Sequence, residues 1–300
     1  MSEWGPPAVV VVHRPRLSPY LVLTFGVLSI AFSPILVRWS NAPGAISSFY
    51  RMAIAAGILV IPFALRLKRR LPFKPGALGL AILGGVLFAA DIGLWSEGIM
   101  LSGATNPTLM GNTAPIWVGL GASIFLKERL NRRFWLGLVI ALSGALIILG
   151  LDSLEGLRLG MGTLLGLLAG GFYAAYILIT QRAREKLDAL SYFWVATASA
   201  TVSLWLIGNA LGYSFLGYPN RAVISFLGLG IVVQVMGWLA ISYALGYLPA
   251  TLVSPSLLGQ PVLAAGLAYF LLGERFTSGQ VIGGIAVLIG ILVVHWSRRE

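Results

Sequence analysis

Apolar stretches of about 20 residues recur along the whole 300-residue chain, separated only by short clusters of charge, glycine and proline. An α-helix rising about 1.5 Å per residue crosses the hydrocarbon of a bilayer in about that length. The stretches fall at 18–38, 44–66, 76–96, 104–126, 132–150, 159–181, 190–211, 221–244, 250–272 and 278–296. Ten such spans leave nothing over for a soluble domain and predict an all-α membrane protein, since helices satisfy every backbone group internally in lipid. The division between the fourth and fifth rests on Lys127, Glu128, Arg129, Arg132 and Arg133, a charge cluster too dense for hydrocarbon. With 58% hydrophobic and 10% charged residues, and a mean hydropathy of +0.88, the composition does not describe a soluble surface.

Charge sets the expected orientation. If the N-terminus is cytoplasmic, 16 of the 21 Lys and Arg fall on cytoplasmic segments, only Arg38, Arg158, Arg221 and Arg275 face outward, and Arg51 lies inside a span. That asymmetry follows the positive-inside rule and places both termini in the cytoplasm of a cell (inner) membrane protein. The net charge of +11 therefore reads as membrane topology rather than as a nucleic-acid surface. A cleaved signal peptide is not expected, because the run from Pro19 to Val37 is too long for an h-region.

Sliding the sequence along itself by 146 residues lays Ala104–Thr105 on Ala250–Thr251, Pro115 on Pro261, Glu128–Arg129 on Glu274–Arg275, Gly137 on Gly283 and Gly144 on Gly290. A shift of 140 pairs Gly26 with Gly166 and Phe32 with Phe172. The expected organisation is a cytoplasmic tail (1–17), a five-helix repeat (18–150), a second five-helix repeat (151–296) and a short cytoplasmic tail (297–300). An odd number of spans per repeat inverts the second copy, and two inverted halves can open one central site to either side in turn.

Two strings, APIWVGLGASIFLKERLNRRFWLGLVIALSGALII at 114–148 and GQPVLAAGLAYFLLGERFTSGQVIGGIAVLIGILV at 259–293, resemble the helix 4–5 and 9–10 signatures of the EamA-type drug/metabolite transporter superfamily. Arg51, in SFYRMAIAAG, sits where those proteins often carry arginine in helix 2. The resemblance covers about residues 18–296 and implies a ten-helix exporter or exchanger of small metabolites, with a central cavity lined mainly by helices 1, 3, 4, 6, 8 and 9. Within the superfamily the chain is similar to amino-acid exporters that prefer aromatic substrates. The same superfamily includes flippases of lipids or lipid-linked sugars, which would need a cavity open sideways to lipid.

Ionisable groups within hydrocarbon are costly enough to count as functional candidates. Arg51 and Asp91 are the clear cases, both about 10 Å deep by residue count from the ends expected for their helices. Matched depth on consecutive helices predicts a pair, acting as a structural ion pair, an outer gate or a proton-linked site; Glu97 could extend it. Helical spacing collects Thr105, Thr108, Asn112, Pro115 and Gly119 on one face, Gly230, Gln234 and Trp238 on another, and Tyr173, Tyr176 and Thr180 on a third, with Ser254 and Gln260 on helix 9. Inverted repeats place their binding site at the repeat interface near mid-membrane. The polar and aromatic groups nearest that depth are Asn112, Tyr173, Tyr176, Gln234, Trp238 and Gln260, the expected substrate site. Pro115 and Pro261, at equivalent mid-helix positions, are candidate hinges or static kinks. Of nine tryptophans, Trp39, Trp95, Trp135, Trp194, Trp205 and Trp296 read as interfacial anchors, while Trp117 and Trp238 lie deep. Gly162, Gly166 and Gly170 read as a helix-packing stripe.

Enzyme classes fall away on residue content. There is no cysteine, and His13 and His295 are expected outside the spans, which argues against thiol chemistry, an intramembrane serine–histidine pair and cysteine–histidine zinc sites. No phosphate-binding G-x-x-x-x-G-K-[ST] loop is present. No metal or cofactor is expected, nor any nucleic acid; the expected partners are a small-molecule substrate and the bilayer, with the chain a monomer or weak homo-oligomer. Asp91 is the one clear mid-span acid, so proton antiport and uniport both remain open.

Overall fold

The computed structural model describes residues 15, 17–68, 75–102, 105–149, 160–272 and 277–297. The segments carrying His13, Arg14, Arg16, Arg69, Arg70, Lys74, Arg158, Glu274, Arg275, Arg298 and Arg299 lie outside them, as does the side chain of Thr105. The described residues are helical throughout, without strands, and form ten spans. Span 1 is Pro19–Ile30 with Ser33–Ser40, span 2 Gly44–Leu67, span 3 Pro75–Ser102, span 4 Thr105–Gly111 with Ala114–Phe125, and span 5 Arg132–Leu149. Span 6 is Met161–Arg184, span 7 Ala189–Ala210, span 8 Asn220–Ala244, span 9 Ala250–Ser256 with Gly259–Leu272, and span 10 Ser278–Trp296. Nine of these are long and apolar enough to cross a membrane. Span 4 has the length only when its two pieces of 7 and 12 residues are taken together.

Proline decides where the spans break. Pro115 cannot return an N–H to the carbonyl of Gly111, so the ladder stops at Asn112–Thr113 and restarts with Pro115 in the first turn of the next piece. The Thr113 hydroxyl donates to Met110 O at 2.6 Å and closes the turn. In span 9, Leu257 and Leu258 interrupt the helix ahead of Pro261. The leftover Leu257 carbonyl accepts the Gln260 N–H at 3.0 Å. Under the shift of 146 the two breaks overlap, one residue out of register. Instead of the kinks inside continuous helices expected at Pro115 and Pro261, each proline follows a complete break. Span 1 breaks similarly before Pro34. In span 8, Leu229–Trp238 winds as a π-helix, with the Leu239 N–H bonded to Gln234 O five residues back.

Glycines set the closest helix crossings. A Cβ on Gly144 would lie 2.6 Å from Gly283 O, and one on Gly137 2.8 Å from Gly290 O, so spans 5 and 10 cross backbone to backbone. These pairs exchange under the shift of 146, as a two-fold relation between the halves requires. Gly166 and Gly170 of span 6 press on Pro107 and Met110 of span 4, so this stripe packs within the molecule.

The end of the bundle where span 1 begins is tied across many spans. Arg66 pairs with Asp188 at 2.7 Å, Arg184 donates to Ser242 O at 2.9 Å, and Gln181 accepts the Ala250 N–H at 2.6 Å. Thr251 donates to Glu128 at 2.9 Å, and Asn131 donates to Ser297 O at 2.9 Å. Glu128 therefore joins the end of span 4 to the start of span 9. Span 3 runs six residues past its expected end, to Ser102, because Gly98 packs against Gly162 and Pro107 and the Ser102 hydroxyl bonds back to Gly98 O.

Candidate substrate cavity

A cavity of about 100 Å³ lies between the two halves, lined by residues of spans 1, 2, 3, 4, 6, 8 and 9. Its position follows from the breaks. Gly111 and Asn112 reach it from the turn in span 4, Ser33 and Pro34 from the second piece of span 1, and Gln260 from the restart of span 9. Pro34 has no N–H for the Ile30 carbonyl, and Gln260 Nε2 takes that carbonyl at 3.2 Å, joining the halves across 230 residues. Its lining runs from mid-span toward the end away from the ties, where Arg51 and Trp95 sit near the ends of spans 2 and 3, and reaches toward the tied end only at Trp238 of span 8.

Its charges are Arg51 and Asp91, 5% and 9% exposed. The direct salt bridge expected from matched depth is absent. Span 3 is longer than its apolar run indicated, which puts Asp91 eleven residues before the helix end while Arg51 is seven after the start of its own. Arg51 is also anchored elsewhere: its Nε donates to Gln234 Oε1 at 2.8 Å, and its guanidinium carbon stands 5.7 Å from the Phe88 ring centroid. The Asp91 carboxylate and the terminal guanidinium nitrogens make no hydrogen bond among the described residues. Gln234 Nε2 and Asn112 Nδ2 are buried with no partner.

An aromatic cluster closes the inner side. Phe88 stacks on Tyr176 with centroids 4.3 Å apart and planes at 11°, and Trp238 meets Phe88 at 4.7 Å and Tyr173 edge-on at 5.7 Å. Ring pairs in these geometries add about 0.5–1.5 kcal/mol each beyond burial.

Of the residues expected to form the site, Asn112, Tyr173, Trp238 and Gln260 line the cavity, together with Arg51 and Asp91. Gln234 and Tyr176 stand behind it, Gln234 holding Arg51 and Tyr176 backing Phe88. Pro115 and Pro261 flank the helix breaks without lining it. Thr180 bonds Tyr176 O and the Tyr192 hydroxyl, and Ser254 is buried away from the cavity. His295, expected outside the spans, lies instead in the last turn of span 10, where its Nε2 shares a 2.9 Å hydrogen bond with the Ser256 hydroxyl of span 9. Glu97 does not extend the Arg51–Asp91 region but accepts from Tyr213 in the 211–219 connection. Trp117, 42% exposed, faces outward. Trp95 lines the cavity and donates to Thr108 at 3.2 Å, so it is more than an interfacial anchor. Phe88, Asp91, Ile92 and Trp95 form one helical face, a spacing that marks Phe88 and Trp95 as neighbours of Asp91.

The sequence profile described as the EamA-like transporter family matches residues 17–150 and again 160–296. The chain is 25% identical over 248 residues to "Uncharacterized transporter YdfC" of Bacillus subtilis, covering 83% of this chain and 80% of that one. It is 26% identical over 280 residues to "Probable terminal-alkyne amino-acid exporter" of Streptantibioticus cattleyicolor, covering 92% of each. A match of 26% over 186 residues, 59% of this chain and 62% of the other, reaches "Probable amino-acid metabolite efflux pump" of Salmonella typhimurium. A solved crystal structure shares the fold at a TM-score of 0.77 and 15% identity, covering 95% of this chain and all of that one. With cavity-forming spans from both matched segments, this chain belongs to the EamA-like transporter family.

Proposed function

We propose that this protein is a secondary exporter of small metabolites, foremost neutral amino acids including aromatic ones, working by alternating access between two inverted five-helix repeats. The observation that carries the reading is the convergence of Asn112, Tyr173, Trp238 and Gln260 on one cavity formed at the helix breaks, with Arg51 and Asp91 in its wall. Discontinuous helices meeting at a repeat interface are the arrangement that secondary transporters use for substrate. The reciprocal glycine crossings of spans 5 and 10 support the inverted repeats. With both termini cytoplasmic, the tied end is the cytoplasmic face, and the lining that runs from mid-span toward the opposite end favours an outward-facing state. The matches to an amino-acid exporter and an amino-acid efflux pump support the substrate class.

A second reading, flipping of a lipid, draws on a recess of about 540 Å³ beside spans 1, 7 and 8, walled by apolar side chains such as Leu21, Phe25, Leu190, Val235 and Leu239. It carries no charged group, so the first reading is preferred. Export from dipeptide-loaded cells separates the two. Faster efflux of neutral amino acids on expression supports the proposal; no change in efflux, with labelled lipid scrambled in proteoliposomes, overturns it.

A further inference from the structure

We infer that Arg51 and Asp91 are the two ends of a receptor for an α-amino-acid zwitterion, Arg51 taking the carboxylate and Asp91 the ammonium. The inference rests on the amino-acid reading above and specifies which chemistry of the substrate this cavity recognises.

Two opposite charges sit in the wall of one small cavity, buried to within 9% of full exclusion from solvent, and are not bonded to each other. A buried ion pair normally offsets its desolvation through direct contact with its partner. Here that contact is forgone because Gln234, from the other half of the chain, holds Arg51 by Nε at 2.8 Å. The tether uses the side edge of the guanidinium and leaves its two terminal nitrogens, the fork that matches a carboxylate with two parallel hydrogen bonds. No described protein group bonds those nitrogens or the Asp91 oxygens. The unpartnered, buried Asn112 Nδ2 is a further donor in the same wall.

A ligand that fills both vacant ends carries an oxyanion and a cation, and an α-amino acid supplies both, as a carboxylate and an ammonium on one carbon. The volume of about 100 Å³ is well below that of a drug-sized pocket, of order 300–1,000 Å³, and limits the occupant to a small molecule. Beyond the two charges, the rings of Phe88, Tyr173 and Trp238 offer an apolar wall to the side chain. Two charges for the head group and an undemanding wall beyond them for the side chain give a site selective for the zwitterion and tolerant of the side chain.

The test uses the full chain in proteoliposomes, with counterflow of radiolabelled L-alanine and L-phenylalanine and, as competitors, the N-acetyl derivative (no ammonium) and the amide (no carboxylate) of each. For the wild type, both derivatives should compete at least tenfold more weakly than the parent amino acid. Asp91→Asn should reduce amino-acid counterflow at least tenfold and remove the discrimination against the N-acetyl compound. Arg51→Gln should do the same for the amide, and Arg51→Lys should retain partial activity. Derivatives that compete as well as the parent amino acids in the wild type overturn the inference, even if a variant fails to fold, while leaving amino-acid transport intact. Absence of counterflow for both amino acids overturns the amino-acid reading itself.

Discussion

Arg51 on span 2 is held by Gln234 on span 8 through a 2.8 Å hydrogen bond from Nε to Oε1, between side chains 5% and 0% exposed and 183 residues apart. A hydrogen bond to a charged group contributes about 1.5–3 kcal/mol, and more is at stake when the donor left behind is buried. Gln234→Ala should therefore lower transport about tenfold or more at comparable membrane abundance. Gln234→Glu should draw the guanidinium into a direct ion pair and also slow transport. Uptake normalised to protein in proteoliposomes checks both, and wild-type rates in the two variants would remove Gln234 from the mechanism.

Trp117 and Trp238 both lie deep in the sequence of their spans, yet the first is 42% exposed at the outer surface and the second 6% exposed in the cavity wall. Trp238→Ala should reduce transport and change the preference among amino acids, whereas Trp117→Ala should leave both within about twofold. A panel of competing substrates measures this directly.

The positions of the spans were legible in the sequence because apolar length and charge clusters are local properties. The fine structure at the cavity was not. Pro115 and Pro261 announced an interruption, but whether a helix bends or stops depends on what takes the carbonyl a proline frees; at Pro34 the freed Ile30 carbonyl is taken by Gln260, 230 residues away. The π-helix at Leu229–Trp238 is set by packing, with Gly230 against Ile54 and Gly237 against Ile30, and leaves no periodic signal. Asn112, Tyr173, Trp238 and Gln260 could be found because polar or aromatic groups at mid-depth are few. Phe88 could not be told from its apolar neighbours except by its spacing from Asp91.

The crossing of spans 5 and 10 gives a prediction on stability. Gly144→Leu or Gly283→Leu forces a side chain onto backbone atoms that a Cβ alone would approach to 2.6 Å, and overpacking of this kind costs about 1–3 kcal/mol or more. The yield of monodisperse protein in detergent should fall sharply for each. Gly57→Ala, where a Cβ meets nothing within 4 Å, should have no such effect.

Asp188 begins span 7, accepting from the Ser191 N–H at 3.1 Å and hydroxyl at 2.8 Å while pairing with Arg66. Burial pushes its carboxyl upward, but the bonds from Arg66 and Ser191 together outweigh burial and hold it below its ordinary value of 3.8. A depressed value means that the charged form stabilises the fold above that pH and that this contribution is lost as pH falls through the lowered value. Thermal stability in detergent should accordingly drop at acidic pH more steeply in the wild type than in Asp188→Asn. Asp188→Ala, which loses the cap as well, should cost about 1–2 kcal/mol.

The absence of cysteine from the sequence allows the central claim, that substrate passes through this cavity, to be tested at one atom. In Asn112→Cys, a membrane-impermeant thiol reagent carrying a charge should label the residue from the outer face of intact cells. It should abolish amino-acid transport, and a transported amino acid in excess should slow the labelling. Modification that proceeds unprotected and leaves transport at its original rate would place the substrate path elsewhere in the molecule.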